Sequence, residues 1–357
     1  MKVTGVEIKP VVMAREDPTW RHALTKPGGE ADVRGYLVKV ITDEGLEGWG
    51  YAGSSAHYGV SWGGLRAALE IYGSLLKGRD PLETVSFFHE CSQHLPGNEE
   101  ALSAIDIALS DLKAKKWGIP LYQLWGGLVR QEIPIIRILA IKEPEEMAQI
   151  ALKHKAEGYT YLKVKFSGNA QQDIARFRAI RRAVGEDIHL TVDMNQSYSA
   201  KEAIYVLKIL SNEGVDLCEQ PVKAHDLEGL AYVNRMAPCP IEAHESARTI
   251  KDVYELAKAG IISSINLNVQ HLGGIGKTKE AAAICALGNI NCRIQATGSR
   301  LLAAASLHLA VTLENIHYAC ELGEFTRLKG DPVEGLEVAN GTLKVPNQPG
   351  IGLLVKM

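Results

Sequence analysis

From Pro134 to Cys320 the chain repeats one unit: a short apolar run, a polar loop and an amphipathic helical stretch. The apolar runs are Ile135 to Ala140, Tyr161 to Phe166, His189 to Asp193, Val215 to Glu219, Pro240 to Ala243, Ser264 to Asn268, Cys292 to Ala296 and Ile316 to Cys320. Repetition at roughly 25 residues predicts an α/β fold, a TIM-type βα barrel of seven or eight parallel strands. A doubly wound open sheet is the competing arrangement, but no G-x-G-x-x-G follows a strand, and this many units favours closure. In such barrels the reacting groups gather at the C-terminal ends of the strands, so the search for chemistry narrows to a few positions.

Upstream the pattern differs. Lys2 to Met13 and Tyr36 to Thr42 alternate as strands do, and Asp43-Glu44-Gly45 is a turn before a short strand at Glu47 to Tyr51. Helical spacing follows over Trp62 to Leu76, Leu82 to His94 and Glu99 to Lys116, the last stopped by Gly118 and Pro120. After the barrel, Leu336 to Val345 reads as a hairpin turning at Asn340-Gly341 and is expected to fold back onto the first domain. The expected division is an α+β capping domain at residues 1–128, the barrel at 129–321 and a returning tail at 322–357.

A net charge of -3 leaves no basic footprint for nucleic acid. The most apolar tract, Leu301 to Leu313, is far shorter than the ~18 residues of a membrane span. The N-terminus lacks the apolar centre of a signal peptide, and the six scattered cysteines form no C-x-x-C pair. These features point to a cytoplasmic protein with reduced thiols and a small-molecule partner.

The strand ends carry Lys163 and Lys165, then Asp193 and Asn195, then Glu219, then Glu242, His244 and Glu245. Carboxylates ending consecutive barrel strands converge, and hard oxygen donors suit Mg²⁺. Two lysines at i and i+2 share one face of a strand, and a lysine beside a divalent cation can serve as a base near neutral pH. Each of these residues alone is more often a solvated strand-end side chain. The ordered set is what points to a site.

The sequence resembles the mandelate racemase and muconate lactonizing enzyme branch of the enolase superfamily. Ala101 to Leu109 through Gly118-Ile119-Pro120-Leu121-Tyr122 and Gly126-Gly127 is similar to that family's domain junction. Leu162-Lys163-Val164-Lys165 resembles its K-x-K strand, Val192-Asp193-Met194-Asn195-Gln196 its D-x-N-Q strand, Cys218-Glu219-Gln220-Pro221 its E-Q-P turn, and Gly273-Gly274-Ile275 its glycine turn after strand six. The resemblance implies that Asp193 and Glu219 bind Mg²⁺, that Lys165 is the base, and that Lys163 helps neutralise the carboxylate of the substrate. It also makes Arg15 to Asp32 and Ser54 to Gly63 the specificity loops, with Trp20, Arg21, His22 and Tyr58 as candidates to touch substrate. Asn195 stands beside the reacting groups, and Glu321 is a candidate to hydrogen-bond the substrate carboxylate. Homo-oligomers are usual in the family.

Two positions depart from the pattern. His244 stands where the muconate lactonizing branch has a metal-binding aspartate; the neighbouring Glu245 is the better oxygen ligand, and ligation by His244 would favour Mn²⁺. Asn268 stands where that branch has a second lysine, and no histidine ends strand seven. Inverting a stereocentre needs groups on both faces of the substrate, so one lysine points to β-elimination, an acid dehydratase. A racemase, epimerase or cycloisomerase is the alternative, with His271 as the partner group if the strand is shifted. A binding protein without catalysis is the third reading.

Overall fold

The computed structural model describes residues 1–25 and 29–356. Period-two alternation in β1 (Val3–Arg15), β2 (Asp32–Thr42) and β3 (Glu47–Gly53) yields an antiparallel meander. Three helices pack on it: α1 (Trp62–Leu76), α2 (Thr84–His94) and α3 (Glu99–Trp117). Helix α3 ends where Gly118 turns left-handed at φ 67 and its N–H reaches the carbonyls of Ala114 and Lys115. Glycines let α3 lie directly on β3, because a Cβ at Gly48 or Gly50 would stand 2.1 Å or 1.8 Å from the carbonyl oxygens of Ala108 and Ala104. The expected specificity loop Arg15 to Asp32 includes residues 26–28, which lie outside the described residues.

After β4 (Glu132–Pro134) the barrel strands follow: β5 (Ile136–Leu139), β6 (Tyr161–Lys165), β7 (His189–Asp193), β8 (Val215–Glu219), β9 (Ile241–Ala243), β10 (Ser264–Asn268) and β11 (Asn291–Gln295). The helices between and after them are α4 (Pro144–Ala156), α5 (Ala170–Val184), α6 (Ala200–Ile209), α7 (Leu227–Met236), α8 (Ile250–Ala259), α9 (Ile275–Leu287) and α10 (Arg300–Ala310). The seven strands form one parallel sheet in sequential order. The eighth apolar run was expected as a strand over Ile316 to Cys320, and it closes the barrel through single bridges only, Cys292 to Ile316, Ile135 to Cys320 and Gln295 to Glu321. Its neighbour on one side is Pro134, which has no N–H and offers only its carbonyl to the Cys320 N–H at 2.9 Å, so a regular ladder cannot form there.

The tail contributes β12 (Leu328–Lys329), β13 (Val333–Glu334), β14 (Val338–Ala339), β15 (Thr342–Lys344) and β16 (Leu354–Val355). Asn340 and Gly341 turn the β14–β15 hairpin with φ values of 49 and 69. That hairpin does not pack on the first sheet as expected. It pairs with β4, burying Leu343 against Ile133 at the entrance to the barrel. The return to the capping sheet is made instead by β12 against β1 and by the Ile351 N–H, which donates to Asp111 Oδ1 at 2.8 Å.

Cap and barrel meet through specific bonds. Asp106 on α3 accepts from the Ile275 N–H at 2.7 Å, supplying the N-terminal cap that α9 lacks from its own Gly274. Gly274, at φ 120, is needed because a Cβ there would lie 2.4 Å from the Asp106 carboxylate. The two motifs singled out at the junction and after strand six are thus halves of one contact. Among the described residues no helix is long and apolar enough to cross a membrane, and all six cysteines are buried and free.

His308 on α10 ties barrel to tail: its Nδ1 accepts from the Tyr122 N–H at 3.3 Å and its Nε2 donates to the Ile351 carbonyl at 3.0 Å. Burial lowers its pKa to about 4, against the opposing pull of the Ile351 carbonyl. Since the unfolded chain binds this proton near pH 6.5 and the folded chain only near pH 4, stability is lost as pH falls through that window, by about 3 kcal/mol for this site. Thermal midpoints measured from pH 7 to pH 4 are expected to fall less steeply in His308→Gln than in the unmodified protein.

Candidate active site

The pleat of β6 sends Leu162 and Val164 toward the helices and Lys163 and Lys165 into the barrel. Lys163 is fully buried, with Nζ 2.6 Å from Glu219, 3.3 Å from Asp193 and in contact with Glu321. Burial opposes its ammonium, but Glu219, Glu321 and Asp193 outweigh that penalty and raise its pKa. Lys163 is therefore a fixed positive charge, not a base. Lys165 lies two residues nearer the mouth, and its Nζ donates to Asp193 Oδ2 at 2.5 Å and to Asn195 Oδ1 at 3.0 Å.

The turns beyond β7 and β8 are strained: Asn195, Gln196 and Gln220 have φ values of 41, 63 and 34. Gln220 shows what its motif is for. Its side-chain oxygen accepts from the backbone N–H groups of His244 at 2.9 Å and Ser246 at 3.1 Å, and its Nε2 donates to Ser246 Oγ at 2.8 Å. It thereby orders the loop that carries His244 and Glu245.

Five buried carboxylates, Asp193, Glu219, Glu242, Glu245 and Glu321, face two permanent cations, Lys163 and Arg293, and the amine of Lys165. The shortage of positive charge is what a divalent ion offsets. Unsatisfied atoms mark the same place. Glu245 Oε2 and both ring nitrogens of His244 are buried without a well-aligned hydrogen bond, the His244 Nδ1 standing 3.7 Å from Glu245 Oε2 and 3.1 Å from Glu219 Oε1. Oxygen donors with one imidazole suit Mg²⁺ or Mn²⁺. A tighter grouping of ligand atoms, His22, Glu30 and His57 within 4.8 Å, lies at the mouth. Glu30 there is already paired with Arg15 at 3.1 Å, and His22 Nδ1 accepts from the Leu24 N–H at 3.2 Å, so it has fewer free lone pairs.

Above this floor lies a cavity of about 260 Å³, a volume for a small organic acid rather than a macromolecule. Its walls bring together Trp20, His22, Tyr58, Lys165, Asn195, His244, Asn268, His271 and Glu321. Lys163, Asp193, Glu219 and Glu245 lie beneath it, and Arg21 stands outside its lining. Glu321 has Gln295 Nε2 donating to it at 2.9 Å besides its contact with Lys163. Asn268 caps its own loop, accepting from the N–H groups of Gln270 at 3.0 Å and His271 at 3.4 Å.

Several residues in the site were not singled out from sequence. Arg293 bridges Glu219 and Glu242 in the barrel interior; the alternation Arg293, Gln295 along β11 was the available signal. Glu100, 171 residues from His271, accepts from its Nδ1 at 2.8 Å and left no sequence signal of that pairing.

Residues 10–126 match the mandelate racemase / muconate lactonizing enzyme N-terminal domain, and residues 146–357 match the enolase C-terminal domain-like family. The chain belongs to the mandelate racemase and muconate lactonizing enzyme family of the enolase superfamily, and it is an enzyme of that superfamily. Among its relatives is a hydrophobic dipeptide epimerase of Enterococcus faecalis, 36% identical over 307 residues that cover 85% of this chain and 84% of that protein. A chloromuconate cycloisomerase of Cupriavidus necator is 30% identical over 332 residues, 89% of this chain and 88% of that one. The crystal structure of the dipeptide epimerase from Enterococcus faecalis V583, complexed with Mg and the dipeptide L-Leu-L-Tyr, superposes with a TM-score of 0.94 at 32% identity, covering 99% of both chains.

Arg293 is the cation on which two buried carboxylates depend. Burial raises the pKa of Glu242 to about 7, partly offset by Arg293. Arg293→Met is expected to cost about 3–5 kcal/mol, because it leaves uncompensated charge in the barrel, measured as a drop in thermal midpoint.

Proposed function

We propose that this enzyme is an isomerase that removes the α-proton of a small carboxylate substrate with Lys165 and restores a proton at the same carbon, an epimerisation. The observation that carries the reading is the division between the two lysines: Lys163 is locked beneath the floor by three carboxylates, while Lys165 reaches the cavity. Deprotonating a carbon next to a carboxylate builds a second negative charge, and Lys163 supplies preorganised positive charge below it. Kinship with epimerases and cycloisomerases supports the same outcome. Dehydration, expected when only one base was counted, has no specific support among these relatives.

Asp193, Glu219 and Glu245, with His244, would hold a divalent cation, Mg²⁺ or Mn²⁺, which when bound would draw charge from the substrate carboxylate and make the α-proton more acidic. Lys165, fixed by Asp193 and Asn195, then faces that proton. The cavity wall of Trp20, Tyr58 and Ile138 suits an apolar side chain, so N-acyl amino acids and dipeptides ending in an apolar or aromatic residue are the favoured class.

In D₂O with Mg²⁺, such compounds are expected to gain deuterium at the carbon next to the carboxylate and to yield both epimers. Lys165→Ala should slow interconversion by about 10²–10⁴-fold, and chelation should abolish it. Loss of water from a 2,3-dihydroxy acid offered in parallel, giving a 2-keto acid and followed by mass spectrometry, would replace the isomerase reading with the dehydratase.

A further inference from the structure

We infer that His271, held by Glu100 of the capping domain, is the second proton-transfer group of this site, working on the face of the substrate opposite Lys165. The inference rests on the proposed α-proton abstraction and supplies what Asn268 cannot, since a carboxamide neither takes nor gives a proton near neutral pH.

Topology sets the two groups apart. Lys165 ends β6, the second position around the barrel, and His271 follows β10, the sixth. In a ring closed by the eighth segment these positions are diametrically opposed, yet both side chains line one cavity. The turn after β10 is built to present the histidine: Asn268 Oδ1 accepts from the N–H of His271, and Gln270 Oε1 accepts from the Gly53 N–H at 2.6 Å, anchoring the loop to the cap.

The ring is also set in one tautomer. Its Nδ1 lies 2.8 Å from Glu100 Oε1, both residues being buried, and a carboxylate can only accept, so the proton sits on Nδ1. Nε2 is left as a buried lone pair without a partner, beside the cavity. Burial of His271, partly offset by Glu100, lowers its pKa, so the ring rests neutral with Nε2 free to accept a proton. Tyr58 packs on it at 4.3 Å between ring centroids, and Arg248 stands 3.6 Å from Glu100. A buried, oriented imidazole with a free nitrogen is a costly arrangement for a merely structural residue.

The proton balance closes with these two groups. In one direction Nε2 takes the α-proton, the C–H electron pair passes into the carboxylate as an enediolate, and the Lys165 ammonium delivers a proton to the other face. The imidazolium formed is stabilised by Glu100. In reverse, neutral Lys165 takes the proton and the imidazolium returns one. Glu100 acts through the histidine and is a positioning residue.

The test measures α-proton exchange in D₂O by proton NMR for L-Leu-L-Tyr and L-Leu-D-Tyr separately, with the Mg²⁺-loaded protein. The unmodified protein should exchange and interconvert both. His271→Gln should exchange only the epimer that presents its proton to Lys165, Lys165→Ala only the other, and neither should interconvert them within about 10²-fold of the unmodified rate. The surviving one-sided exchange reports an intact fold in each variant. Glu100→Gln, which keeps size and a hydrogen-bond acceptor, should slow the His271-side exchange and spare the Lys165 side. Interconversion by His271→Gln at the unmodified rate, or equal loss of exchange on both epimers with an unchanged melting temperature, would overturn the assignment. No exchange of either dipeptide by the unmodified protein would overturn the isomerase reading for this substrate class and this inference with it.

Discussion

The ion network inside the barrel is the constraint from which the rest of the site follows. Lys163 contacts Asp193, Glu219 and Glu321, and Arg293 contacts Glu219 and Glu242, all buried. Isolated, any of these charges would be too costly to desolvate, and apolar side chains of similar volume would often stabilise a barrel interior at least as well. Their retention in mutual contact therefore speaks for chemistry. The network stitches β6, β7, β8, β9 and β11 to the segment ending at Glu321 and fixes the strand ends from which Lys165 and His244 reach the cavity.

The capping domain completes this floor instead of only covering it. Asp106 caps α9, the Gly53 N–H donates to Gln270, and Glu100 orients His271. All three contacts fall on the helix or loop following β10, so the sixth βα unit is one of the places where cap and barrel are coupled, beside Arg248 after β9. Motion of the cap would disturb the tautomer and position of His271 before it disturbed Lys165, whose partners all belong to the barrel.

Much of this arrangement was legible because side-chain parity along a strand is a local property. All seven barrel strands lie within one residue of the apolar runs at both ends, and those ending at Lys165, Asp193, Glu219 and Asn268 carry polar groups at their termini. The eighth run is less regular because Pro134 withholds a donor, a tertiary consequence that hydropathy does not register. The tail hairpin was recognisable from Asn340-Gly341, but its partner was not: Leu343 finds Ile133 through the three-dimensional arrangement of β4. Glu100 and His271 likewise meet only through the packing of α3 beside the sixth βα unit, and Arg293 became part of the site through Glu242, two strands away in the sheet.

His244 and Asn268, the two departures from the family pattern, are best understood together. Relative to an aspartate at the first position and a lysine at the second, the chain has given up one negative and one positive charge within a single cavity. The exchange is neutral overall, so the balance among the buried carboxylates, Lys163 and Arg293 is preserved while the character of the opposite wall changes. A lysine there would have placed a cation beside His244 and His57; the neutral imidazole of His271 does not. Burial already lowers the pKa of His57 to about 4, with the charge of Lys165 adding to the effect, so this mouth disfavours further positive charge. The neutral imidazoles of His57 and His271 facing Lys165 can still exchange protons, and they add no further cation to a lining that already holds Arg15, Arg34 and Lys165.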